Sequence, residues 1–166
     1  MIKVGDTFPI SYITSVLNDD MSNTTTNELS ENKTVVLFAV PGAFTPTCSL
    51  SHLPGYVTQL EALKEKGIDL VACLSVNDSF VMKAWALDQN AEGIAMIADG
   101  NASLTKALGL DKDTGSFGGI RSQRYAMVIK NNKVTNLNIE APKEFEVSSA
   151  ESVLALLWTT HHKFYL

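Results

Sequence analysis

Thr34-Val-Val-Leu-Phe-Ala-Val40 is a continuous β-branched and aromatic run of strand length, and Ile68 to Val76 is a second. Runs without polar alternation predict central strands covered on both faces. Between them, Ser49 to Lys66 places Leu53, Val57, Leu60 and Leu63 at helical spacing, with Gly67 after the last turn. Strand, helix and strand make a βαβ unit, and the rest of the chain is read outward from it.

Asn77 or Asp78 can cap a second helix, in which Phe80, Val81, Ala84 and Trp85 supply the apolar stripe. Met96 to Ala98 reads as a short strand and Ser103 to Leu108 as a short helix before the turn-rich segment Gly109 to Gly119. Tyr125 to Ile129 and Val134 to Ile139 flank Asn131-Asn132, residues that tolerate the left-handed backbone of a tight hairpin, so an antiparallel pair is expected. Ser148 or Ser149 opens a last helix through Val153, Leu154, Leu157 and Trp158, leaving 159–166 as a C-terminal tail. The polar stretch Asn18 to Lys33 reads as a surface loop or a loose hairpin. This order predicts an α/β domain with a thioredoxin-like fold, a mixed central β-sheet flanked by helices on both faces.

A chain of 166 residues, 45% hydrophobic and 19% charged, has material for one domain with a sizeable core. Its net charge of −5 is the wrong sign for capturing phosphate backbones or anionic lipid, so neither nucleic acid nor membrane is expected as a partner. Met1 to Pro9 lacks a basic start followed by an apolar run, and no stretch approaches the ~18 apolar residues of a membrane span. A cytoplasmic protein is expected, in which the sequons at Asn23, Asn32, Asn77 and Asn101 are chance. Cys48 and Cys73 are too few for a disulfide scaffold, and in a reducing compartment each is either packing or chemistry.

Pro41-Gly-Ala-Phe-Thr-Pro-Thr-Cys48 sits where the first central strand ends and the long helix begins. Sites in open α/β sheets gather at the carboxyl ends of strands, and a helix N-terminus offers unpaired N–H groups and a positive dipole end. A thiol there ionises readily, and the thiolate is the nucleophile. Thr45 stands three residues before Cys48, where thioredoxin-like oxidoreductases place the other cysteine of C-x-x-C. It cannot close a local disulfide, but its hydroxyl can donate to and accept from an oxygen-rich ligand. Pro41 and Pro46 stiffen the loop and shield the sulfur.

Pro41, Thr45 and Cys48 form the P-x-x-x-T-x-x-C motif of the peroxiredoxins. With His52-Leu-Pro-Gly-Tyr56 and Ser75-Val-Asn-Asp-Ser-Phe-Val-Met-Lys-Ala-Trp85, the chain resembles their type II, or peroxiredoxin-V, branch through nearly its whole length. The resemblance implies a cofactor-free thiol peroxidase for hydrogen peroxide and organic hydroperoxides. Cys48 would be the peroxidatic cysteine, Thr45 the peroxide-binding hydroxyl and Pro41 the shield of the pocket. The family's arginine matches Arg124, directly before the aromatic-led strand, with Arg121 as second choice. Thr45, Arg124 and the Cys48 N–H would stabilise charge on the departing oxygen, leaving a sulfenic acid on Cys48.

Some relatives carry a resolving cysteine near the end of the fold, but Glu140 to Ser152 contains none. Cys73, inside the apolar run Leu70 to Val76, is expected to pack in a central strand. A one-cysteine cycle is therefore expected, with glutathione and glutaredoxin, or thioredoxin, as reductant. His52 could be a base, but reads as a histidine at the pocket rim; one cysteine and one histidine do not make a metal site. Phe44, Phe80 and Phe117 could form an apolar collar for alkyl hydroperoxides, a dimer contact, or ordinary core. The low charged fraction and apolar loop edges, like the resemblance, suggest a homodimer. His161 and His162 read as exposed. A thiol–disulfide oxidoreductase is disfavoured by Thr45, whereas a low-turnover redox sensor or holdase would use the same thiol.

Overall fold

A computed structural model describes residues 1–162, with side-chain environments through Leu157. In chain order the elements are β1 (Tyr12–Leu17), β2 (Asp20–Thr25), α1 (Thr26–Ser30), β3 (Thr34–Ala39), a π-helical turn (Cys48–His52), α2 (Leu53–Glu65), β4 (Leu70–Ser75), α3 (Ser79–Asp88) and β5 (Ile94–Ala98). They continue with α4 (Ser103–Leu108), β6 (Asp111–Asp113), β7 (Ile120–Ser122), β8 (Tyr125–Lys130), β9 (Lys133–Ile139) and α5 (Ala150–His162). Among the described residues no helix is long and apolar enough to cross a membrane.

The apolar run at Thr34 becomes the core of a seven-stranded mixed sheet in the order β2-β1-β5-β4-β3-β8-β9. Strands β3, β4 and β5 are parallel and the outer pairings antiparallel. Successive side chains of a strand point to opposite faces, and here both faces are dry. Val36, Phe38 and Val40 join the core under α2, α3 and α5, whereas Val35, Leu37 and Ala39 join the core under α4 and the N-terminal segment. That two-sided burial explains why β3 carries no polar alternation.

The expected hairpin at Asn131-Asn132 forms between β8 and β9, with φ of 46° and 67° at those residues. The expectation for Asn18 to Lys33 is sharpened. Asn18 and Asp19, at φ 49° and 73°, turn a regular β1–β2 hairpin, and β1 joins the sheet through β5. In the turn-rich segment, β6 and β7 form a small separate ribbon. The stripe expected on α3 is corrected. Asp78 accepts from Val81 N and caps the helix, Met82 and Trp85 face the sheet, and Phe80, in the first turn, is 75% exposed. Ala84 is exposed as well. The last helix runs to His162, past the expected start of the tail; the side chains of His161 and His162 lie outside the described environments.

Candidate active site

The segment after β3 is held on both sides. Val40 N donates to Leu74 O at 3.0 Å, keeping the chain beside β4 for one residue beyond the strand. Ala43 N donates to Asn77 Oδ1 at 3.0 Å, and Ser75 Oγ to the same oxygen at 2.5 Å, so Asn77 ties the loop to the end of β4. Space at Gly42 is tight: a Cβ there would stand 3.2 Å from Thr45 Cγ2 and 3.4 Å from Arg121 Nη1. Phe44 takes a left-handed backbone, φ 64°, and turns outward at 52% exposure. Helical structure then starts at Pro46, a position where the missing N–H costs nothing, and the chain enters the π-helical turn at Cys48.

Cys48 is fully buried. Arg124, at the mouth of β8, donates from Nη2 to Cys48 Sγ at 3.1 Å. Its Nη1 lies 2.8 Å from Nδ1 of His52, and Nε2 of that ring lies 3.0 Å from Ser148 O. A guanidinium has only donors, so Nδ1 must accept; the ring proton therefore sits on Nε2 and is donated to the Ser148 carbonyl. Burial first, and then the Arg124 charge, push His52 down to about 3, so the ring is neutral across the physiological range. The rim position expected for His52 is thus corrected. It is wholly buried behind the sulfur, because one turn of helix below Cys48 faces Phe38, Tyr56 and Phe145 rather than solvent.

Arg124 also lines a cavity of about 380 Å³, with Pro41, Thr45, Asn77, Phe117 and Arg121 in its wall. Thr45 Oγ1 donates to Gly42 O at 2.6 Å, so its proton is engaged and its acceptor capacity remains. Arg121 borders the same cavity, but its guanidinium is spent on the carbonyls of Gly118, at 3.1 Å, and Val76, at 3.3 Å. Phe117 is 79% exposed at the cavity wall, and neither Phe44 nor Phe80 is core. A neighbouring groove of about 470 Å³ shares Pro41, Thr47 and Arg124 with the cavity and continues towards Lys112 and Lys143.

Cys73 lies mid-strand in β4, in register with Phe38 and Met96, and is completely buried. Burial, and then the charge of Cys48, raise its thiol well above the usual range. Nothing in the residue pattern placed Ser148, Glu140 or Phe145 at this site. They arrive from a loop about ninety residues downstream of Cys48, and no local spacing encodes that meeting.

The chain matches the Redoxin family model over residues 3–154. It is 47% identical to Peroxiredoxin-2D of Arabidopsis thaliana over 161 residues, covering 94% of this chain and 98% of that protein. Hybrid peroxiredoxin hyPrx5 of Haemophilus influenzae is 45% identical over 148 residues, 86% of this chain and 61% of that longer protein. Among solved structures, reduced Prx3 from Vibrio vulnificus in complex with H2O2 superposes with a TM-score of 0.93 at 59% identity, covering 98% of this chain and 99% of that one. With a thioredoxin-like sheet and a buried cysteine under an arginine already in hand, these likenesses settle that the chain belongs to the Redoxin family as a type II peroxiredoxin, a thiol-dependent peroxidase that reduces peroxide at the expense of a thiol reductant.

Proposed function

We propose that Cys48 is the peroxidatic cysteine, with Thr45, Arg124 and Pro41 as its immediate partners. The observation that carries this reading is the 3.1 Å contact from Arg124 Nη2 to the buried Cys48 Sγ, made by an arginine that, with Thr45 and Pro41, lines the adjoining cavity. The Cys48 thiolate attacks the terminal oxygen of ROOH, an S–O bond forms as the O–O bond breaks, and the electron pair leaves on RO⁻, which takes a proton from water. Sulfur is oxidised by two electrons to the sulfenic acid and the peroxide is reduced by two. Arg124 holds the thiolate before attack and is within reach of the charge that develops on the oxygens. Thr45, its own proton given to Gly42 O, accepts from the peroxide O–H.

An external thiol closes the cycle. It attacks the sulfenic sulfur, releases water and leaves a mixed disulfide; a second thiol displaces Cys48 and is oxidised with the first to a disulfide. Glutathione with glutaredoxin is the favoured donor and thioredoxin the alternative, a reading supported by the burial of Cys73 in the middle of a strand. Phe44, Phe80 and Phe117 are exposed at 52%, 75% and 79%, Phe117 in the cavity wall, which supports a homodimer that covers such apolar groups. Residues 1–166 act as one catalytic domain in a reducing compartment such as the cytoplasm.

Peroxide consumption is to be followed with glutathione plus glutaredoxin and with thioredoxin, in the wild type, Cys48→Ser and Cys73→Ser. We expect loss of turnover in Cys48→Ser and near-wild-type turnover with glutathione in Cys73→Ser. Collapse of Cys73→Ser to background overturns the one-cysteine cycle, and oxidation that stops at one equivalent with every donor points to a sensor.

A further inference from the structure

We infer that Glu140 is a positioning residue for the peroxidase site, acting on Arg124 through Ser148 and His52 without touching either Arg124's guanidinium or the reacting sulfur. The inference rests on the role proposed above for Arg124. Glu140 follows β9 directly and is 7% exposed. Its carboxylate accepts from three consecutive backbone N–H groups, those of Glu146, Val147 and Ser148, at 2.9 to 3.2 Å, and from Ser148 Oγ at 2.6 Å. Three N–H groups converging on one anion form a concave nest, which the carboxylate fills.

That clamp folds residues 141–148 back on the strand and aims the Ser148 carbonyl inward. The carbonyl receives His52 Nε2 at 3.0 Å and Tyr56 Oη at 2.8 Å. With Nε2 committed to a carbonyl, Nδ1 is left as an acceptor, and Arg124 Nη1 uses it at 2.8 Å. Nη2 is then directed to Cys48 Sγ at 3.1 Å. Phe145, in the same loop, places its ring 5.0 Å from that of His52 and 5.8 Å from Arg124 Cζ, completing the rear wall. Glu140 also holds the other end of the arginine, since Glu140 N donates to Arg124 O at 3.0 Å.

Charge explains the indirect route. A carboxylate set against the guanidinium would orient it but neutralise the charge that the thiolate and the departing oxygen need. Among the described residues no carboxylate stands within ion-pair distance of the Arg124 guanidinium. Neutral imidazole orients the fork and leaves the charge in place, while backbone N–H groups absorb the charge of Glu140.

The test is the rate constant for oxidation of Cys48 by H2O2, measured by stopped flow in Glu140→Gln, His52→Gln, the double variant and Arg124→Ala. We expect Glu140→Gln and His52→Gln each to slow oxidation roughly 3- to 30-fold, and the double variant to be no slower than the worse single, because both act through one chain of contacts. The imidazole 15N resonances should also lose the Nε2–H signature of His52 in Glu140→Gln. Wild-type oxidation by folded Glu140→Gln, or a double variant whose loss is the product of the two singles, overturns the proposal. If Glu140→Gln does not fold, Ser148→Ala removes one strand of the clamp and should slow oxidation roughly 2- to 5-fold with the same non-additivity; an unchanged rate overturns the proposal equally. Wild-type oxidation by Arg124→Ala would instead sink the role of Arg124 itself.

Discussion

Arg124 forks between two acceptors, sulfur and imidazole, and that geometry is what a guanidinium does and an ammonium cannot. Arg124→Lys keeps the charge but cannot serve both acceptors in one plane. We expect Arg124→Ala to slow peroxide reduction by on the order of 10²–10³, and Arg124→Lys to recover only a small part, as measured by kcat/KM for H2O2. Thr45 is a subtler case. Its hydroxyl gives its proton to Gly42 O, so its use to a peroxide is as an acceptor. Thr45→Ser should retain most activity, whereas the near-isosteric Thr45→Val should lose about 10² in rate, having neither the loop hydrogen bond nor the acceptor.

Two short elements, the π-helical turn and the 141–148 loop, meet at His52, and their stability should carry its titration. The unfolded chain protonates this histidine near 6.5, whereas the folded protein resists until about 3 because of burial and the Arg124 charge. The unfolded state therefore binds the extra proton in between. Stability is fully present above about 6.5 and falls as pH drops, at up to about 1.4 kcal/mol per pH unit. Glu140 adds to the same limb lower down. Burial alone would raise its carboxyl, but Ser148 Oγ and the three loop N–H groups outweigh that and hold it below 4.5, so its contribution is present above that value and lost beneath it. Urea midpoints between pH 7 and pH 4 should show a shallower acid slope in His52→Gln than in the wild type. An equal slope would mean that His52 is already charged in the folded state.

Across the whole molecule, a net charge of −5 coexists with large exposed apolar groups, of which Phe117 lines the cavity beside Arg124. Phe44, Phe80, Phe117 and Leu50 are each more than half exposed, although the core has room for other phenylalanines such as Phe8 and Phe38. Apolar groups of that size are withdrawn from water when a second copy covers them. Sedimentation of the wild type should report a dimer, and Phe80→Asp should shift it towards monomer while leaving far-UV circular dichroism unchanged. A monomeric wild type at micromolar concentration would contradict the homodimer.

Much of this architecture was legible in the residues because its causes are local. Short, unbroken β-branched runs favour strands dry on both faces, Asn-Asn tolerates the left-handed turn, and Thr45 three residues before Cys48 fixes both groups in one stretch of chain. The outward turn of Phe80 was not legible, because α3 is apolar on more than one face and only packing on the sheet selects Met82 and Trp85 for burial. Nor was β1, whose partner β5 lies some eighty residues away. The ring of contacts behind the sulfur was the least legible of all. Sequence by itself determined the central strands and the β8–β9 hairpin, the nucleophile's place at the end of a strand, and a choice between two arginines; only the tertiary structure decided that Arg124 reaches the thiol and that His52 is buried and neutral. The physical reason is that His52, Arg124, Glu140 and Ser148 are joined by hydrogen bonds between segments far apart in the chain, which no spacing along it records.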